Sequence, residues 1–174
     1  IPRLFNELYD LIEFKSEEID EVELVKEPKD DDCYRVKSTD DLTANCESER
    51  YSKFKSKSFH LDNYCFDSNP ESKMFWTLIN DGKLEKVWFT GMLTHGQSDF
   101  LIRYIDPDSH TVRSYFPDFL VKVKTEDNTD KYIILEVKGD NKIDDNVVKA
   151  KAEYASQLAH ASGMTYQIIK GSEA

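Results

Sequence analysis

The sequence has little cysteine, no excess of positive charge and no long hydrophobic run. Its three cysteines, Cys33, Cys46 and Cys65, are widely spaced and form no CxxC pair. This pattern gives no support to a zinc site and indicates reduced thiols in the cytoplasm. No apolar stretch approaches the roughly 18 residues that cross a bilayer, and no signal peptide is present. We therefore expect a cytoplasmic protein that does not enter a membrane.

The negative charge is concentrated at one end of the chain. Residues 1–50 carry 7 basic and 16 acidic residues, a net charge of −9, whereas residues 51–174 carry 16 and 18, a net charge of −2. We expect an acidic N-terminal arm or subdomain over residues 1–58 and a second unit over residues 59–174. The first residue is Ile1 rather than Met, and we expect a fragment of a longer chain. Affinity for nucleic acid comes largely from Lys and Arg, so unaided DNA affinity should be modest.

Hydrophobic spacing predicts the elements of the first half. Apolar residues at helical spacing predict a helix over residues 1–26, and residues 29–58 are polar and predict mainly loop with short strands. The alternation from Lys53 to Phe59 predicts an edge strand with a basic face. A second helix is predicted after Ser68 or Asn69, either of which can cap it, and it ends at Asp81-Gly82.

The pattern of elements in the second half of the sequence predicts an α/β fold. Runs typical of β-strands cover residues 86–92, 99–104, 112–124 and 131–138. The turn between the first two holds His95, for which a turn role outweighs a ligand role. A helix is predicted over residues 144–162, capped by Asp144 or Asp145 and ended by Gly163, and a last strand runs from Met164 to Lys170. Strand, helix and strand in this order predict a parallel pair, so the fold should be a mixed central sheet of four to five strands flanked by helices.

One motif brings together the residue types of a metal-dependent reaction. Pro117-Asp118 begins one predicted β-run, and Glu136-Val137-Lys138-Gly139 ends the next after a polar loop. Glu136 and Lys138 share one face of their strand, because successive strand side chains alternate. Mg²⁺ prefers oxygen ligands and needs only one or two carboxylates beside substrate oxygens. A lysine next to them can orient an attacking water or neutralise charge developing on a phosphate.

This pattern resembles the PD-(D/E)xK nuclease superfamily, with a restriction-endonuclease-like fold, from about Leu61 to Gly171. It is most similar to the C-terminal endonuclease domain of type III restriction-enzyme restriction subunits and related helicase-nuclease proteins. Three motifs of those proteins match this chain in order. Their helix start matches residues 67–71, their aromatic-x-Pro-Asp strand matches residues 115–118, and their Glu-x-Lys-Gly strand matches residues 136–139. The chain lacks a GxxxxGK[ST] motif, so any helicase or ATPase portion should lie outside it or on a partner subunit.

The resemblance implies residue roles and a function. Glu71, Asp118 and Glu136 would bind Mg²⁺, with Mn²⁺ able to substitute, and the Val137 carbonyl would add a ligand. Lys138 would assist the water nucleophile. Auxiliary contacts near the scissile phosphate would come from three residues of the following helix: Lys149, Lys151 and Tyr154. The implied function is a Mg²⁺-dependent DNA endonuclease of a restriction or phage-defence system.

Two other functions fit the same residues. The same fold serves nucleases of transposition or recombination, which differ in substrate rather than in chemistry. A non-catalytic nucleic-acid-binding or scaffolding domain is the third candidate. Clustered carboxylates are costly to hold together, and this argues against a domain that has lost catalysis. A structural interpretation of Glu71 also stays open, since an acid at a helix N-terminus complements the helix dipole.

Overall fold

The computed structural model describes residues 42–92, 100–127, 129–142 and 145–174. Two α-helices lie in this part of the chain, α1 (Asn69–Asn80) and α2 (Asn146–Ala161). The strands are β1 (Thr43–Asn45), β2 (Asn63–Cys65), β3 (Leu84–Phe89), β4 (Ile102–Ile105), β5 (Val112–Tyr115), β6 (Phe119–Val123), β7 (Lys131–Lys138) and β8 (Thr165–Lys170). Neither helix is long and apolar enough to cross a lipid bilayer.

The main sheet of the described residues has four strands in the order β3-β6-β7-β8. β6 is antiparallel to both of its neighbours, β3 and β7, whereas β7 and β8 are parallel and are joined through α2. This mixed sheet with flanking helices confirms the fold class. The bounds of β7 agree with the predicted strand, and its centre is buried, as expected for a strand with neighbours on both sides.

Two hydrophobic cores cover the two faces of the sheet. One core joins α1 to Leu135 and Val137 of β7, and it also contains Ala44 and Tyr51 from before β2. The second core joins α2 and strands β4 and β5 to Ile134 of β7. Because side chains alternate along a strand, the residues that share the face of Ile134 point toward α2. Glu136 and Lys138 belong to that set.

Both helices begin and end as the sequence predicts. The Ser68 side chain caps α1, and Asp81 follows its last turn. The Asp145 side chain accepts a hydrogen bond from the Val147 N–H at 2.8 Å and so caps α2. Gly163 follows α2 with φ +68°, the left-handed conformation in which glycine commonly ends a helix. Of the two acids considered as caps of α2, Asp145 fills the role, and Asp144 lies outside the described residues.

The strand expected over residues 112–124 is wrong in one respect, because the structure divides it into β5 and β6. β5 pairs with β4 in a separate two-stranded hairpin, and β6 joins the main sheet. The break falls at Pro117, which has no N–H to donate and disfavours helical backbone in the residue before it. Asp118 consequently stands where the chain leaves one sheet and enters the other.

The edge strand expected from Lys53 to Phe59 is also wrong. Ser52–Phe54 forms a short 3-10 helix. Tyr51 and Phe54 both pack edge-on against Trp76 of α1, with ring centroids 5.7 and 6.0 Å away. Residues three apart lie on one side of a 3-10 turn, whereas on a strand they would face opposite ways. The helix expected over residues 1–26 and the turn with His95 lie outside the described residues, and the division at residue 58 stays a prediction.

Candidate active site

Asp118 and Glu136 are neighbours at one end of the sheet. Phe119 is opposite Leu135 in the antiparallel register of β6 and β7, so Asp118 comes next to the Glu136 position. The Asp118 Oδ2 atom accepts a hydrogen bond from the Val137 N–H at 2.7 Å. The expected placement of the two acids on adjacent strands is confirmed. Strand alternation directs both carboxylates to the face covered by α2.

The end of β3 fixes the backbone of Asp118. The N–H groups of Thr90 and Gly91 donate to the Asp118 carbonyl at 2.9 and 3.1 Å, and the Thr90 hydroxyl donates to the Pro117 carbonyl. Gly91 also allows a close approach, because a Cβ placed there would lie 3.1 Å from Asp118 Oδ1 and 3.2 Å from Asp118 Cα. Sequence reasoning missed both residues, since only the pairing of β3 with β6 brings them to the motif.

Glu136 is a buried acid with one satisfied and one unsatisfied oxygen. The residue is 3% exposed. Its Oε1 forms an ion pair with Lys138 Nζ, whereas Oε2 is buried and has no hydrogen-bond partner within the described part of the chain. Burial raises the pKa of the Glu136 carboxyl, against the opposing effect of Lys138. A buried polar atom without a partner is costly, so Glu136 Oε2 is suited to a ligand that supplies positive charge.

The charges of the site are coupled. Burial raises the pKa of Asp118 well above its usual range, and the negative charge of Glu136 adds to the effect. Burial lowers the pKa of Lys138, but the Glu136 and Asp118 carboxylates outweigh it and the net pKa is raised. Lys138 therefore stays charged and offsets only part of the repulsion between the two acids.

Glu71 serves the N-terminus of its own helix in this structure. The Ser68 hydroxyl donates to Glu71 Oε1 at 2.7 Å, the Asp67 N–H donates to Glu71 Oε2 at 3.0 Å, and Ser68 accepts from the Glu71 N–H at 3.4 Å. This reciprocal arrangement is a capping box in which Glu71 accepts from the N–H of Asp67, the residue before the cap, rather than from that of Ser68. The negative charge of Glu71 still contributes to the raised pKa of both Asp118 and Lys138.

The expected convergence of three carboxylates is not found. Among the residues that the structure describes, no group of three or more His, Cys, Asp or Glu side chains is arranged to hold a metal ion. The physical reason is the capping box, which turns the carboxylate of Glu71 back onto the start of α1. The acids that the fold brings together are the pair Asp118 and Glu136.

Lys151 of α2 is the auxiliary candidate that reaches the site. Its Nζ atom lies over two tyrosine rings, 5.3 Å from the centroid of Tyr104 and 5.1 Å from that of Tyr115. Burial and the charge of Lys138 lower the pKa of Lys151. Lys151 in turn stabilises the charged form of Glu136. The site thus has two lysines beside two acids.

The other two auxiliary candidates differ from Lys151. Lys149 is exposed on α2, and Tyr154 is partly buried against the second core. The sequence motif contains Tyr115 but gives it no role at the site, and sequence reasoning missed Tyr166. Burial raises the pKa of each phenol, and the charges of Glu136 and Asp118 contribute to both shifts. Their positions follow from the packing of the β4–β5 hairpin and β8, which no local pattern reveals.

The donor set fits a hard divalent cation. Asp118 and Glu136 supply carboxylate oxygens from adjacent strands, and Glu136 Oε2 is buried without a partner in the described residues. Mg²⁺ binds through one or two carboxylates and substrate oxygens. Burial raises the pKa of both acids, and the charge of Glu136 adds to the shift of Asp118. A positive ion between them would stabilise the charged form of each carboxylate. Val137 lies between Glu136 and Lys138 on β7, and its side chain is in the first core.

Comparisons with known proteins bear on the segment that carries the motif. Residues 95–171 match a family model described as TnsA-like endonuclease N terminal. The matched segment includes Asp118, Glu136 and Lys138, whereas Glu71 lies upstream of it. Neither a search of curated proteins nor a search of solved structures found a significant match. The similarity to a TnsA-like endonuclease domain supports the PD-(D/E)xK nuclease superfamily and suggests a nuclease of that type.

Proposed function

We propose that this chain is a divalent-metal-dependent endonuclease domain that hydrolyses phosphodiester bonds of DNA. The observation that carries the proposal is the group formed by Asp118, Glu136 and Lys138, in which a buried carboxylate oxygen of Glu136 lacks a partner among the described residues. The family match covers all three residues and suggests the same chemistry. A domain used only as a scaffold would have no use for a buried acid, Glu136, held next to a second acid, Asp118.

Each residue has a proposed role. Asp118 and Glu136 would hold the ion, Mg²⁺ or Mn²⁺, with the Val137 carbonyl as a further ligand. When bound, such an ion polarises phosphate oxygens and lowers the pKa of a coordinated water. Lys138, already charged and held beside Glu136, orients the water and stabilises charge that develops on the phosphate.

Glu71 and Lys151 have outer roles in this proposal. Glu71 acts on the site through its charge from the start of α1, and a water can take the place of a direct contact to the ion. Lys151 adds a second positive charge on the α2 side of the acids. Lys149 and Tyr154 stay candidates for contacts to the substrate from the same helix.

The biological setting has two candidates. One is a restriction or phage-defence nuclease whose helicase or ATPase portion lies outside this chain, with the finer resemblance to type III restriction subunits. The other is a nuclease of transposition or recombination. The match to a TnsA-like endonuclease model is equally consistent with the second setting.

Cleavage of supercoiled plasmid DNA tests the proposed function. The chain should nick plasmid with Mg²⁺ or Mn²⁺ and should stop in excess chelator. Asp118→Asn should lower the rate on the order of 100-fold or more, because it removes a charged ligand. Glu126→Gln, which changes an exposed acid at the far end of β6, is the matched control. Cleavage by Asp118→Asn at the rate of the unchanged chain would show that this site is not the nuclease centre.

A further inference from the structure

A line of positive charge leads away from the two acids along the seam between α2 and the β4–β5 hairpin. Lys138 lies beside Glu136. The positive charge of Lys138 helps to lower the pKa of Lys151, the next lysine of the line. Lys151 lies over the rings of Tyr104 and Tyr115, which belong to β4 and β5. Tyr104 is directly opposite Arg113 in the hairpin, and the charge of Arg113 acts on the Tyr104 hydroxyl. Arg113 therefore extends the line outward from Lys151.

Arg113 is held in place yet open to solvent. Its Nε atom pairs with Asp106 Oδ2 at 2.9 Å, and its side chain is 56% exposed whereas that of Asp106 is 7% exposed. Asp106 is itself fixed, since its Oδ1 accepts from the N–H groups of Asp108 and Ser109 at 2.9 and 3.0 Å. A guanidinium has five N–H donors in a rigid fork, so the pairing of Nε leaves outward donors for a second acceptor.

The spacing of this line suits a nucleic-acid backbone. Two residues along a strand span about 6.8 Å, so Arg113 stands about that far from Tyr115 along β5. One DNA strand carries a phosphate for about every 3.4 Å of helix axis. The chain runs from Tyr115 directly into Pro117-Asp118, which ties the position of the hairpin to that of the acids. The separation of Arg113 from Tyr115, over which Lys151 lies, thus corresponds to about two phosphate steps along one DNA strand.

We propose that Lys151 and Arg113 form a phosphate-binding track for DNA, which leads from Lys138 along the α2–hairpin seam and holds the strand on one side of the cleaved bond. This inference rests on the proposed function, since it takes DNA as the substrate. It gives the chain a local source of affinity despite its net charge of −11. Arg113 contributes to positioning of the strand and takes no part in the bond-breaking step.

Salt dependence of DNA binding tests the track. Duplex DNA is titrated with the full chain in excess chelator, so that no cleavage occurs, at a series of salt concentrations. Each phosphate contact that is lost should reduce the slope of log Kobs against log salt by about 0.9. Arg113→Gln and Lys151→Gln should each show this reduction, and the double variant should show about twice as much. Arg113→Lys keeps the charge and should keep the slope.

Arg103 provides a matched control on the same hairpin. It is exposed, and it lies on β4 next to Tyr104, so its side chain points to the opposite face. Arg103→Gln should leave the slope unchanged. An unchanged slope for Arg113→Gln, an equal loss for Arg103→Gln, or no binding by the unchanged chain at low salt would each overturn the track. Thermal midpoints show whether Arg113→Gln is folded, and if it is not, an unchanged slope for Lys151→Gln overturns the track.

The two proposals can fail separately. If plasmid cleavage depends on metal and the salt slope of Arg113→Gln is unaltered, the track is contradicted and the proposed nuclease function is supported. A reduced slope with no metal-dependent cleavage would keep the DNA-binding surface and contradict the nuclease.

Discussion

Lys138 is the residue whose removal best separates chemistry from binding of the ion. Its ammonium pairs with Glu136 and keeps a raised pKa through Glu136 and Asp118. Lys138→Ala should lower the rate of plasmid cleavage on the order of 100-fold, because the charge that stabilises the phosphate in the transition state is lost. Binding of Mg²⁺, measured by calorimetric titration, should be nearly retained, since both carboxylates remain.

Lys131 is the control for this change. It lies at the opposite end of the same strand and is exposed. Lys131→Ala should cut as the unchanged chain does. If Lys138→Ala also cuts at that rate with Mg²⁺, the Glu136–Lys138 pair is a structural ion pair without a role in cleavage.

Gly91 is predicted to control the position of the Asp118 carboxylate. An added Cβ would lie 3.1 Å from Asp118 Oδ1 and from Phe89 Cε2, and 3.2 Å from Asp118 Cα. Gly91→Ala should cost about 1–3 kcal/mol of stability, as overpacking does, and it should reduce cleavage by displacing the carboxylate. Gly82→Ala is the control, because nothing lies within 4 Å of a Cβ there. Thermal midpoints and cleavage rates, measured together, check both effects; equal behaviour of the two variants would contradict the crowding.

At the scale of elements, the start of α1 combines a structural and an electrostatic role. Ser68→Ala removes the cap and should destabilise the protein by about 1 kcal/mol. Glu71→Gln keeps an oxygen that can accept from the Asp67 N–H, so its stability should change little. It loses the charge that acts on Asp118 and Lys138, and cleavage should fall less than tenfold.

Thermal unfolding and plasmid cleavage of both variants check this division of roles. A fall for Glu71→Gln as large as that for Asp118→Asn would indicate that Glu71 binds the ion directly in the working enzyme. If Glu71→Gln loses as much stability as Ser68→Ala, the glutamine does not preserve the hydrogen bonds of the helix cap.

Local signals make part of the fold predictable. The polar loop after β6 and the apolar run of β7 are close together in the sequence, and a short connection of this kind predicts that Asp118 lies beside Glu136. The Ser68-x-x-Glu71 spacing is itself a capping-box signature, so the sequence already contains the reason why Glu71 turns away from the acids. The motif match alone gives that residue the role of a third ligand.

Long-range packing determines what the sequence does not reveal. Gly91 reaches Asp118 through the pairing of β3 with β6, and Lys151 meets Tyr104 through the packing of α2 on the hairpin. The break of one β-run into two sheets at Pro117 depends on the same packing, because a proline in a strand run is compatible with an edge, a bulge or an end.

For the molecule as a whole, the described part of the site lies at the edge of the second core. The acids and Lys138 point to the α2 face of the sheet, and the rings of Tyr104 and Tyr115 belong to the second core, which covers that face. The pairing of β6 with β7 keeps the two carboxylates near one another. The resulting strain is stored in the folded protein and should be visible in its stability.

The thermal midpoint should therefore depend on both pH and divalent metal. Asp118 and Glu136 have raised pKa values in the folded chain, whereas unfolded carboxyls titrate near about 4. Between these values the folded state binds more protons than the unfolded state, so this contribution to stability is present at low pH and is lost as pH rises. Asp118→Asn should remove much of this loss of stability at higher pH, and Glu126→Gln should not.

Divalent metal should offset the same repulsion, because it binds the folded site and not the separated acids of the unfolded chain. At 100 times its Kd, a ligand adds about 2.7 kcal/mol, so Mg²⁺ or Mn²⁺ should raise the midpoint more at pH 8 than at pH 5, where protons compete for the carboxylates. Ca²⁺ should also raise it yet support little cleavage, since its coordination is larger and looser. Scanning calorimetry of the unchanged chain and of Asp118→Asn, with and without each ion, checks the prediction. An equal rise in Asp118→Asn would place the bound ion elsewhere on this acidic protein.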